Sequence, residues 1–181
     1  SRALLDYYRT REETARLRTP PGPWSDERKA AADGMLQDRF TFVSTSALLP
    51  TLADGHYDWS YRGPNNDLQW HQANHRMAAL SLLLAGWHAA KDDRYAAKCG
   101  LIVRDWVLAN PIPEEALRNS STESGWHQLN VGIRAGQWAA LFHGFLEAPP
   151  FTDATRLLML CSVQDHADYI RGHHKRYHNI S

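Results

Sequence analysis

Between Leu80 and Ile170 the chain places apolar residues at three- and four-residue spacing in four successive stretches, and prolines or polar runs separate them. Leu80, Leu83, Leu84 and Trp87 mark the first, and Tyr95, Cys99, Ile102, Val103 and Trp106 the second. Leu129, Ile133, Leu141 and Phe145 mark the third, and Leu157, Leu160, Val163, Ala167 and Ile170 the fourth. That spacing puts each set on one side of a 3.6-residue helix. "KDDRY" parts the first two, "NPIP" ends the second because a residue before proline is pushed out of the helical region, and "APPF" precedes the fourth. Helices of similar length with short links pack as antiparallel hairpins. The pattern predicts an all-α fold whose hairpins form a curved array, an incomplete (α/α) toroid or a bundle. No internal sequence repeat points to a known solenoid family.

The N-terminal part is less regular. "RALLDYYRTREETARLR" (2–18) carries Leu4, Leu5, Tyr8 and Ala15 along a helical stripe, and "TPPGPW" stops it. Ser25, with acids close behind, sits where an N-cap belongs and predicts a second helix to about Arg39. Residues 40–68 lack helical periodicity and hold Pro50, Gly55, Gly63, Pro64, Asn65 and Asn66. So long a connection is expected to be a functional loop or to contain short strands.

Composition narrows the partners. With 181 residues the chain is about one domain's worth, on a prior of roughly 100–200 residues per domain. Lysine and arginine balance aspartate and glutamate to a formal net charge of zero, so no global field recruits nucleic acid or an anionic membrane. Affinity for an anion must come from local clusters. No apolar run reaches the roughly 18 residues of a membrane-spanning helix. Cys99 and Cys161 lack CxxC spacing; they cannot define a zinc site, and nothing in their placement supports a disulfide.

Three segments concentrate chemistry. In "YDWSYRGPNNDLQWHQANHRM" (57–77), a helix starting near Leu68 would set Trp70 and Asn74 one turn apart, with His71 and His75 adjacent and Arg76 next. In "WHQLNVGIRAGQW" (126–138), Leu129, Ile133 and Phe145 mark the expected core side, while Trp126, Asn130, Arg134 and Trp138 follow at four-residue steps, with His127 at the start. Indole rings stack on sugar faces and a guanidinium grips a carboxylate or sulfate as a fork, so this row is a candidate binding stripe. The competing reading is a tryptophan-lined helix interface with Arg134 paired to a buried acid. The tail "HADYIRGHHKRYHNIS" gathers His166, His173, His174 and His178; without HExxH or a following acid it reads as a basic last turn rather than a metal site. "NSS" (119–121) and "NIS" (179–181) fit the glycosylation sequon. Gly-rich phosphate loops and nucleophile elbows are absent.

The ordered blocks "LLDYYRTR", "DRFTF", "YDWSYRGPNND", "QWHQANHRM", "DDRYAAKCGLIVRDWVLANP", "WHQLNVGIRAGQW" and "HADYIRGHHKRYHNIS" cover almost the whole chain. Together they resemble the N-terminal part of heparinase II/III-like polysaccharide lyases, which include heparin-sulfate and alginate lyases. The resemblance implies that residues 1–181 are the N-terminal part of an α/α toroid, followed in a longer chain by the remaining toroid and a β-sandwich. It implies β-elimination on a uronic-acid glycan by a periplasmic or secreted enzyme without a cofactor. Its partners would be an acidic polysaccharide and the remainder of its own chain. By position Asn179 matches the family's carboxylate-neutralising asparagine; the proton-transfer tyrosine and a further histidine would lie beyond Ser181. Trp70, Asn74, His75, Arg76, Trp126, His127 and Arg134 are the candidate substrate-binding residues. Two rivals stay open: a non-catalytic carbohydrate-binding or scaffold module, and an unsaturated-glucuronyl hydrolase. The latter needs paired carboxylates, which Asp58, Asp67, Asp105 and Glu123 do not form by spacing.

Overall fold

The computed structural model describes residues 2–14, 22–114 and 125–177, with side chains as far as residue 172. These residues form seven helices and one two-stranded hairpin. They are α1 (Arg2–Thr10), α2 (Asp26–Leu36), β1 (Arg39–Phe42), β2 (Thr45–Leu48), α3 (Leu68–Arg76), α4 (Leu80–Ala90), α5 (Asp93–Ala109), α6 (Gln128–Gly144) and α7 (Asp153–Tyr177). The hairpin packs on α2 and α3. The chain is mostly helical, as its periodicity requires. No described helix is long and apolar enough to cross a membrane.

Short polar side chains set the helix starts by accepting from orphan backbone N–H groups. Ser25 does this for α2, Asp67 for α3 and Asp92 for α5. Met77 and Lys91 adopt left-handed backbone and stop α3 and α4. Only Lys91 and Asp92 separate α4 from α5, which pack on each other; α6 and α7 form the next packed pair, and α5 also meets α7. Trp70, Trp106 and Trp138 are wholly buried where these layers join, with Trp106 edge-on to Trp138 at 5.7 Å.

One expectation changes and another is met. The second helix stops at Leu36, short of Arg39, because Asp38 turns the chain at φ 60° into β1. The aperiodic stretch does contain strands: Phe40 pairs with Ala47 facing the core, and Thr41 with Ser46 facing outward. The following loop is pinned to α5. Asp105 accepts from His56 Nδ1 (2.8 Å), the Tyr57 amide (3.2 Å) and Trp59 Nε1 (2.8 Å), three donors for one carboxylate. The Tyr57 hydroxyl and Lys98 Nζ both donate to Asp38, tying the loop to α5 and to the turn before β1. Cys99 is buried and Cys161 exposed, and both are free thiols.

Candidate functional site

The polar residues singled out in α3 and α6 meet where the end of α3 crosses the start of α6. The side of α6 that faces inward is the unexpected one. Asn130, Arg134 and Trp138 are completely buried, whereas Leu129, assigned to the core by its apolar character, is 53% exposed. The first turn of α6 thus faces the other way from the expectation, whereas Leu141 and Phe145 are buried as expected; the polar row is inside, where most of its polar atoms find partners.

Arg134 is the centre of this row. Its Nη1 donates to the carbonyls of His75 (2.7 Å) and Gly125 (2.9 Å), and its Nε to His166 Nε2 at 2.8 Å. The guanidinium lies 3.8 Å from the centroid of the Trp106 ring and 5.5 Å from that of Trp126, cation–π contacts in a desolvated place. Burial pushes its pKa down to about 9, so it stays charged at neutral pH. Three of its bonds therefore go to neutral acceptors. None reaches a carboxylate.

Two histidines flank it, each fixed in one tautomer. His75 accepts from Trp106 Nε1 at Nδ1 (3.0 Å) and donates from Nε2 to the Trp59 carbonyl (3.0 Å). His166 donates from Nδ1 to the Ser162 carbonyl (2.6 Å) and accepts from Arg134 at Nε2. Burial holds His75 down at about 3 and His166 at about 4, and both are neutral at pH 7. Gly125 is required beside them, because a Cβ there would stand 2.5 Å from His75 Nδ1.

Arg76, one residue on, is different. It is half-buried, donates from Nε to Asn130 Oδ1 (2.9 Å) and from Nη2 to Gln72 Oε1 (2.9 Å), and has no partner for Nη1 among the described residues. Asn130 and Gln72 hold the guanidinium plane in place. The i, i+4 spacing of Gln72 and Arg76 was legible in the sequence; the Asn130 contact depends on how α3 crosses α6. Neither Arg76 nor Arg134 is paired with a carboxylate among the described residues. The partial positive charge at the start of α6, which His127 begins without a side-chain capping bond, adds to theirs.

Four of the candidate binding residues offer a ligand no surface, and the expectation is corrected for them. Trp70 is sealed beneath Gly63 and Tyr61; Trp126 turns its Nε1 to the Asn110 carbonyl; His75 and Arg134 are locked as described. Asn74 lies one turn from Trp70 as the spacing required, and it lines a small cavity with Phe40, Trp59, Met77 and Ile102. His127 is half-buried at the N-cap of α6, next to the junction. His166, read as part of a basic tail, is inside the core. Asn179, His178 and both sequons lie outside the described residues, as do the side chains of His173 and His174. No three metal-binding side chains converge among the described residues.

Solved structures share this fold. Heparan sulfate lyase HepC from Pedobacter heparinus superposes with a TM-score of 0.73 at 23% identity, over 93% of this chain and 27% of that one. A heparinase III structure gives 0.73 at 24% identity, over 93% and 28%. In sequence, the heparin-sulfate lyase of Pedobacter heparinus is 25% identical over 189 residues, which cover 99% of this chain and 28% of the relative. The chain therefore spans about 28% of the length of the curated relative it matches. The family described as Heparinase II/III N-terminus matches residues 1–181, and the protein belongs to that family.

Proposed function

We propose that this chain is the N-terminal part of a polysaccharide lyase that cleaves uronic-acid-containing acidic glycans, of the heparan sulfate or alginate type, by β-elimination. The observation that carries the reading is Arg76: a guanidinium held at two corners, open at the third and without an acidic partner among the described residues. A carboxylate or sulfate on a sugar is the group that such a fork fits. Membership in the family and the name of the heparin-sulfate lyase relative support the same direction.

The chemistry defines what the longer protein must supply. The proton at C5 of a uronic acid is barely acidic until the neighbouring carboxylate is neutralised, so donors must hold that carboxylate while a base removes the proton. Asn179 is assigned the neutralising part, and a tyrosine and a histidine beyond Ser181 the proton transfers. Arg76 and His127 are assigned to the wall that meets the glycan. In this reading the helices continue as an α/α toroid, a β-sandwich follows, and the enzyme works in the periplasm or outside the cell.

Residues 1–181 alone are then catalytically silent. Incubation with heparan sulfate or alginate should give no ultraviolet absorbance from unsaturated products, and turnover would refute the assignment of the proton-transfer groups. Binding of a heparan sulfate oligosaccharide should weaken as salt rises, because screening acts on exposed charge. Arg76→Gln should weaken it about tenfold, the effect of losing roughly one charge-assisted hydrogen bond. The burial of Trp70, Trp126 and Arg134 favours the scaffold reading as a second possibility. Salt-independent binding, or none, would decide for it.

A further inference from the structure

The junction of α3 and α6 contains two arginines one residue-contact apart, and only one of them can reach a ligand. Arg134 grips the carbonyl of His75, the peptide group that leads directly into Arg76. One turn earlier on α6, Asn130 holds the Nε of Arg76. The same guanidinium of Arg134 bonds the Gly125 carbonyl, which fixes the turn that leads into α6, and His166 on α7. Trp106 on α5 forms its floor.

We infer that Arg134 is a positioning residue whose task is to hold Arg76 in the geometry that receives an anionic sugar. The inference rests on the proposed glycan-binding function and adds the division of labour within it. Physically, the last carbonyls of a helix have no partner within the helix, and α3 is only nine residues long. Its end would otherwise fray, and the side chain of Arg76 would move with it. A buried arginine is suited to prevent this, since its planar fork reaches acceptors on three separate elements at once. A lysine carries the same charge on a single point and cannot. The lack of an acidic partner fits as well. A carboxylate paired with Arg134 would cancel the positive potential that Arg76 needs, whereas backbone carbonyls and a neutral imidazole engage its Nη1 and Nε and leave the charge in place.

Two measurements on the full 181-residue chain test this, comparing wild type with Arg134→Lys, Arg76→Gln and the double variant. The first needs no glycan: solvent exchange of the Arg76 Nε–H proton by nuclear magnetic resonance. It should be slow in the wild type and at least tenfold faster in folded Arg134→Lys. Unchanged exchange would overturn the inference. The second is a double-mutant cycle on affinity for a heparan sulfate oligosaccharide. Each single variant should bind about tenfold more weakly, and the double variant no more weakly than Arg76→Gln alone, because there is then nothing left to position. Multiplication of the two losses would overturn it. Should Arg134→Lys fail to fold, His166→Leu, which removes only the Nε partner, takes its place in both experiments with a smaller change in the same direction. If the exchange result is as expected and the wild type binds no glycan, the positioning role stands and the proposed substrate class fails.

Discussion

The α3/α6 junction and the loop that follows the β-hairpin use the same residue types to opposite ends. At the junction, His75 and His166 are surrounded by indole rings and Arg134, and among the described residues no carboxylate bonds to either ring. Burial keeps both neutral. In the loop, His56 is exposed on one side and hydrogen-bonded to Asp105 on the other, and that bond raises its pKa. The tryptophans differ in the same way: Trp59 gives its indole N–H to a carboxylate, Trp106 to a histidine ring. One region is an interior that holds a positive charge with no acidic partner among the described residues, and the other is a mostly buried carboxylate paired with a part-exposed histidine. A site meant for an anion needs the first kind of construction, where no internal acid competes with the ligand.

The largest expected effect separates the regions by stability. Arg134→Met leaves the carbonyls of His75 and Gly125 and the Nε2 of His166 buried without a donor. Unfolding in urea should show a loss of about 3–5 kcal/mol, at roughly 1–3 kcal/mol per orphaned buried group. Asp105→Ala frees three donors, but one of them, His56, is part-exposed to water, and the same experiment should show a smaller loss of about 1–3 kcal/mol. Equal losses would erase the contrast.

Acidity sharpens the comparison further. The folded-state pKa values of His75 and His166 lie near 3 and 4, below the ordinary 6.5, so between those values the unfolded chain binds more protons than the folded one. Their contribution is complete above about pH 6.5 and is lost as pH falls toward 4. A urea series across this window should show His166→Leu with a shallower fall than the wild type. His56 works in the other direction. Its pKa is raised on folding, so its contribution is present below its unfolded pKa and disappears as pH climbs through the folded one. The effect is the smallest of the set because the group is largely exposed. A proton titration should place His56 above 6.5 in the wild type and return it toward 6.5 in Asp105→Asn.

The helical plan was readable because its signals are local. Apolar spacing, capping side chains at Ser25, Asp67 and Asp92, and the prolines after Asn110 and Ala148 each act within a few residues. The hairpin was only half readable. Its two-residue turn is Val43–Ser44 in place of a glycine or asparagine pair, with Val43 at φ 54° and 85% exposed. The orientation of α6 was misread for a reason that generalises. Ranking residues by apolarity turned Leu129 inward and Asn130 and Arg134 outward. The partners that make their burial tolerable are the Arg76 guanidinium, which donates to Asn130, and acceptors on His75, Gly125 and His166, residues scattered over three other parts of the chain. Spacing brought the right residues together in α3 and α6 and could not say which of them would keep a surface. Asn74 shows the same limit: its helical partner Trp70 was right and its neighbours were not.

The division between a strut and a ligand-facing arginine can be watched atom by atom. Titrating a heparan sulfate oligosaccharide into the labelled chain and following the two arginine Nε resonances should shift Arg76 progressively with added sugar and leave Arg134 where it began. A shift at Arg134 with Arg76 unmoved, or no shift at either, would contradict the account.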